Sequence, residues 1–172
     1  MRSEEWQDVL LDEVIPAVLR QGFDGLMLDT LDVAAMLEER FPDRFRGVKQ
    51  AMVGLVRKIR EKYPDLILIS NNGYTILQDL APFLSGLLAE DIFMMPDFEH
   101  GGYKQVPARD RFEKVRLLRS LRREHGVAVL NIDYVPPGEE RLVRRCMESS
   151  RRLGFVPYVA EKDLSEIYDA KD

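Results

Sequence analysis

Five short apolar runs punctuate this chain, each the length of a strand: DGLMLD (24–29), LILISN (66–71), GLLAE (86–90), VAVLNID (127–133) and FVPYVA (155–160). Runs this apolar and this short suit strands covered on both faces. Between them lie longer stretches with helical spacing of apolar residues. Trp6, Val9, Leu10, Val14, Ile15 and Val18 mark the first. Val48, Met52, Leu55, Val56 and Ile59 mark the second, and Phe112, Val115, Leu118 and Leu121 the third. EERLVRRCMESSRRLG (139–154) is the last clear one, and Gly126 and Gly154 stand where helix ends need a left-handed residue. Strands alternating with helices of this length give βαβ units and a parallel sheet. The order is a helix, then five strand–helix repeats, the last helix being the short DLSEIY (163–168). No long polar linker interrupts it, so residues 1–172 are expected to form one α/β domain.

Two connections stand out. ERFPDRF (39–45) should end the helix after the first strand at Pro42. Residues 91–107, DIFMMPDFEHGGYKQVP, are far longer than the usual strand-to-helix loop of about 2–6 residues. That length predicts a functional lid or a disordered segment. In parallel α/β folds, sites form at the carboxyl ends of the strands, the side on which this loop lies.

The strand ends are rich in polar side chains. The first offers Asp29 and Thr30. The second offers Asn71, Asn72 and Tyr74, the third Glu90, the fourth Asp133 and Tyr134, the fifth Tyr158. Carboxylates converging with amides and tyrosines suit cleavage of a glycosidic bond. One carboxylic acid protonates the leaving oxygen, and the other attacks carbon or activates water. Asp29 and Glu90 are the leading pair, expected on one rim about 5–10 Å apart. Asn71, Asn72, Tyr74, Asp133, Tyr134 and Tyr158 are expected to hold sugar hydroxyls or stack on sugar faces. An aspartate ending so apolar a run as 24–29 should also be costly to bury unless paired or used.

Other polar residues read as structural. Asp24 sits at a strand start, the stability end of such folds. Asp32 is placed to cap the next helix. His100 reads as a loop histidine, Asp91 as a substitute for Glu90 if the strand runs one residue longer, and the arginine runs as solvated helix faces.

Several classes of function are disfavoured. The net charge of -5 does not indicate a nucleic-acid partner. The two histidines and one cysteine form no transition-metal pattern, and DTLD after the first strand lacks the glycines of a dinucleotide site. No metal and no cofactor are expected. Cys146 reads as a partly buried helix thiol. No run is long enough to span a membrane, and MRSEEWQDVL lacks the apolar core of a signal peptide, so the chain is expected to stay where it is made.

In order, GFDGLMLDTLD, ISNNGYTILQDLAPFLSGLLAEDIF, VLNIDYV and GFVPYVA resemble the endo-α-1,4-polygalactosaminidase family of glycoside hydrolases, family 114. The resemblance implies a (β/α)8 barrel acting on α-1,4-linked galactosamine polymers, usually exported and related to exopolysaccharide enzymes. It implies Asp29 and Glu90 as the acidic pair. The family commonly has serine where this chain has Asp91. An eight-stranded barrel takes about 250 residues. The expected fold is therefore a TIM-barrel-like α/β domain truncated to about five parallel strands with flanking helices. It would begin at the helix before the fourth strand of the family barrel. Such a chain is expected to self-associate or to need a missing amino-terminal half-barrel. The alternative is a non-catalytic carbohydrate-binding or assembly module built from the same barrel.

Overall fold

The computed structural model describes residues 1–165. Its strands are β1 (Gly25–Leu28), β2 (Ile67–Asn71), β3 (Gly86–Glu90), β4 (Met94–Pro96), β5 (Tyr103–Gln105), β6 (Ala128–Tyr134) and β7 (Val156–Ala160). Five of them form one sheet in the order β1-β2-β3-β6-β7, and β4 pairs antiparallel with β5. The five apolar runs of the sequence are the five strands of that sheet, which is parallel with flanking helices. Contacts divide the chain into two compact units, Met1–Gly86 and a second starting at Leu87.

The first unit opens with α1 (Glu4–Val9) and α2 (Ile15–Leu19), joined by a π-helical turn over Leu10–Val14. Pro16 lies just beyond that turn and has no N–H to continue an α-helical ladder. The wider turn absorbs the mismatch, with the Ile15 N–H bonding to the Leu10 carbonyl. The buried stripe here is Gln7, Leu11 and Ile15. Of the expected stripe Ile15 is buried and Leu10 and Val18 are half-buried, but Trp6, Val9 and Val14 are exposed, so the apolar spacing placed the helix correctly and its buried face only in part. Gln7 belongs inside because its amide donates to the Met1 carbonyl at 2.6 Å and its oxygen accepts from Lys58 at 2.7 Å. After β1 come α3 (Val33–Arg40), which ends before Pro42 as expected, and α4 (Pro42–Phe45). Asp32 occupies the N-cap of α3, but its side chain makes no capping bond, which corrects the capping role read for it. In α5 (Val48–Lys62) every apolar residue of the expected stripe, Val48, Met52, Leu55, Val56 and Ile59, is buried. Burial of side chains this size is worth about 1.5–3 kcal/mol each, so α5 anchors the unit.

Strand β1 pairs in parallel with β2, Leu26 opposite Leu68 and Met27 opposite Ile69. Gly25 is required where the two backbones meet, because a Cβ there would lie 2.4 Å from the Ile67 carbonyl oxygen. In β2, Leu68 and Ser70 are buried while Ile67 is 48% exposed. In β1, Met27 is 61% exposed. These strands are not covered on both faces, contrary to what their apolar sequence suggests. Among the described residues, nothing packs closely over the face that carries Met27 and Ile67. Leu77–Leu80 (α6) and a 3-10 turn over Ala81–Phe83 lead to β3.

In the second unit, β6 and β7 pair in parallel, Ile132 opposite Tyr158 and Asp133 opposite Val159. Helices α7 (Ala108–His125) and α8 (Glu140–Arg152) flank them. Gly126 closes α7 at φ +70°, and Gly154, at φ +77°, follows α8, as the sequence suggested. On α7, Leu118 and Leu121 are buried but Phe112 is 68% exposed. The 91–107 segment is not structureless: β4 and β5 make a short hairpin within it. Of the short helix expected at 163–168, residues 163–165 are a turn and unstructured backbone, and 166–168 lie outside the described residues. Among the described residues, no helix is long and apolar enough to cross a membrane.

Candidate active site

The ends of three strands share a backbone signature. Thr30, Asn72 and Asp91 have φ of +57°, +47° and +60°, and each follows within two residues of the end of β1, β2 or β3. Side-chain-bearing residues adopt this region at a cost, most of all a β-branched threonine. Strain of this kind gathers where side chains must be aimed for a task. Nothing in the residue types announced it, apart from the asparagine and aspartate that tolerate this region best.

In the first unit, Asp29 is exposed, so the cost of burying it does not arise. Its Oδ1 accepts the Thr30 backbone N–H at 2.7 Å and the Asn71 side-chain amide at 3.1 Å. The left-handed turn at Thr30 brings that N–H onto the carboxylate. Asn71 and Asn72 are half-buried, and Tyr74 is half-buried in the turn that follows. Asp24, at the opposite end of the strand, is exposed, and its carbonyl accepts the Ile67 N–H at 3.1 Å.

In the second unit, Glu90 is half-buried, and its Oε1 accepts the Tyr134 hydroxyl at 2.5 Å. Burial first, and then this bond to Glu90, push the Tyr134 phenol well above its ordinary range, so it stays a donor. Lys114 reaches in from α7 and donates to the carbonyls of Glu90 at 3.2 Å and Asp91 at 3.0 Å. Burial holds its ammonium pKa below the usual lysine range. Asp91 is raised to about 6, chiefly by burial. Lys114 opposes that rise, and the negative charges of Glu90 and Asp133 add to it. One Asp91 oxygen is buried without a hydrogen-bond partner among the described residues.

Sequence reasoning missed Lys114. The signal was present: Lys114 lies four residues before Leu118 and seven before Leu121, on the buried stripe of α7. A cation on an apolar stripe needs partners, and here those partners are carbonyls at the end of β3.

Asp133 needs correction as a sugar contact. Strand alternation points it away from Ile132 and Tyr158, and it is 1% exposed. One oxygen accepts the backbone N–H groups of Ile92, Phe93 and Met94 at 3.1, 2.6 and 3.0 Å. The other accepts the Asn131 amide at 2.9 Å, and Ser150 donates to Asn131 in turn. Its carboxylate shapes the loop that leaves Glu90. Tyr158, half-buried and opposite Ile132, takes the other face of the same strands. Cys146 is buried on α8, and burial, with the Asp133 charge adding to it, pushes its thiol up to about 12. It is inert as a nucleophile. His100 is an exposed loop residue whose ring sits 3.3 Å from Asp97. Among the described residues, no three His, Cys, Asp or Glu side chains gather as a metal site.

Glycoside-hydrolase family GH114 matches the sequence over residues 1–172. The chain belongs to that family. The glycoside hydrolase domain of PelA from Pseudomonas aeruginosa has a similar structure, with a TM-score of 0.79 at 28% identity. The match covers 96% of this chain and 63% of that one, and a glutamate-to-alanine variant of the PelA domain matches equally well. An uncharacterized protein of Thermotoga maritima is 29% identical over 93% of this chain and 51% of its own length. Another from Deinococcus radiodurans is 25% identical over 94% and 50%. The chain thus spans about half the length of the curated relatives it matches. Membership in GH114 gives the carboxylates at its strand ends a chemical context that geometry alone does not.

Proposed function

We propose that this chain carries the catalytic carboxylates of a glycoside hydrolase acting on an α-1,4-linked galactosamine polymer, with Asp29 and Glu90 as the acidic pair. The observation that carries this reading is that both strand-end carboxylates are oriented by dedicated donors, in a chain matched to GH114 throughout. Tyr134 aims Glu90, while Asn71 and the Thr30 N–H aim Asp29. A pair of this kind supplies a proton to the leaving oxygen and a nucleophile or base to the anomeric centre. Asn72, Tyr74 and Tyr158 are proposed as sugar contacts beside Asn71 and Tyr134. Asp133 is left out because its oxygens are engaged inside.

The test is reducing-end release from a galactosamine polymer, comparing the parent protein with Glu90→Gln and Asp29→Asn. Release by the parent and its loss in both variants are the expected results. Equal release by all three would overturn the pair. Retention of the polymer with no release by the parent would select the carbohydrate-binding module instead.

A further inference from the structure

The second unit contains a hollow that shares no residue with the carboxylate site. It is small, with a cavity volume of about 40 Å³, is open to solvent, and lies among the β4–β5 hairpin, α7 and α8. Met94, Leu142 and Cys146 give it an apolar floor. Four further lining residues carry hydrogen-bond donors: Arg111, Arg145, Gln105 and Ser149. Among the described residues, no carboxylate lines it.

The two arginines differ from others on the same helices. On α7, Arg109 pairs with Glu113 at 3.2 Å, and on α8, Arg152 pairs with Glu148 at 3.2 Å. Among the described residues, neither the Arg111 nor the Arg145 guanidinium has an ion pair or a hydrogen bond. Arg111 is half-buried, with its guanidinium carbon 5.9 Å from the centre of the Phe93 ring, so its position is set before any ligand arrives. Arg145 stands near enough to Cys146 for its charge to act on the thiol. Two like charges lining one hollow repel each other, though water screens the exposed Arg145 more than the half-buried Arg111. A bound anion reverses the sign of that interaction. Guanidinium forks, an amide N–H and a hydroxyl match the oxygens of a tetrahedral or planar oxyanion. The arrangement is unexpected in a chain of net charge -5, which offers anions little general attraction.

We propose that this hollow is a binding site for a small oxyanion group, phosphoryl or carboxylate, held by Arg111 and Arg145 with Gln105 and Ser149. An anion seated there ties the hairpin that follows Glu90 to both helices.

The test uses the protein with inorganic phosphate and, separately, glucuronate, at constant ionic strength against chloride. Binding is read by calorimetry and by the rise in melting temperature. A saturable rise with either anion is expected, and the stronger one identifies the group. Arg111→Gln and Arg145→Gln should each weaken binding by about tenfold or more, with Arg145→Lys in between, since lysine keeps the charge and loses the fork. Glu90→Gln should bind like the parent, which separates this site from the hydrolytic reading. Absence of any response to both anions would overturn the proposal. So would an equal response in the Arg111→Gln/Arg145→Gln double variant.

Discussion

Asp29 follows one apolar strand and Glu90 ends another, yet they live in different electrostatic worlds. Asp29 is solvated, with its two hydrogen-bond donors on one oxygen. Glu90 is half-buried beside a phenol, a lysine and two further acids, one of which, Asp91, is raised to about 6. Water screens the first site, whereas in the second burial raises the Asp91 carboxyl and lowers the Lys114 ammonium. The lesson is that position in the fold makes a carboxylate available, and the surroundings determine how far its partners are sealed from water. Four expected outcomes break or sharpen this contrast.

The largest effect concerns turnover. Glu90→Gln should reduce hydrolysis of a galactosamine polymer by about a thousandfold or more, and Asp29→Asn should do nearly the same. Initial rates of reducing-end release measure it. If only Glu90→Gln is inactive, Asp29 supports the site from outside the chemistry, and the two regions differ in role as well as in setting.

Next is stability. Asp133→Ala strips three backbone N–H groups of their acceptor in the buried loop after Glu90. An unsatisfied buried donor costs about 1–3 kcal/mol, so the sum should be about 3 kcal/mol or more by urea denaturation. A loss below about 1 kcal/mol would mean that water reaches the loop and that the second region is less sealed than its hydrogen bonds indicate.

The third outcome is a pH dependence confined to the second region. Asp91 has a folded pKa of about 6 against 3.8 for the ordinary group. Between those values the native state holds the proton more tightly than the unfolded chain. Stability from this group is therefore full below about pH 4 and is lost as pH rises through 6. Discounting for partial exposure, the loss is about 1–2 kcal/mol. Asp91→Asn removes the titration, so it should stabilise the protein by roughly that amount at about pH 7.5 and change little at about pH 4. Parallel melts at the two pH values check the sign. A gain from Asp91→Asn that is the same at both would assign the effect to packing.

Much of this was legible in the sequence, and the rest was hidden for identifiable reasons. The five strands were legible because short, strongly apolar runs have few other uses. Helix α5 was legible because one stripe carried most of its apolar residues. The buried face of the first helix was not, since Gln7 is inside through bonds to Met1 and Lys58, contacts that spacing does not encode. The strand ends named Glu90 and Tyr134, but not that they touch. Asp133 looked equivalent to them because residue type and position were the same. Only its parity relative to Ile132 and Tyr158, fixed by pairing with β7, turns it inward. Asp29 looked buried because its strand is apolar, and it is exposed because it lies past the end of that strand, whose Met27 is itself exposed.

The smallest expected effect is the sharpest test of that last point. If Asp29 were a buried, charge-dependent support, Asp29→Asn would cost several kcal/mol. In the structure both donors, the Thr30 N–H and the Asn71 amide, meet the same oxygen. An asparagine carbonyl can accept both without moving. The charge it removes is already exposed to water, so little solvation is regained or lost. The change in unfolding free energy should therefore stay within about 0.5 kcal/mol. Glycine at position 30 makes the complementary variant. Thr30→Gly relieves a left-handed β-branched residue at φ +57°, and about 1 kcal/mol of strain should return as stability. The turn should then loosen its hold on Asp29, so turnover should fall while the protein becomes harder to unfold. Denaturation curves run beside the rate assay separate the two. A large stability loss in Asp29→Asn would return Asp29 to a structural role. A loss of stability in Thr30→Gly would show that the turn depends on the threonine side chain rather than straining against it.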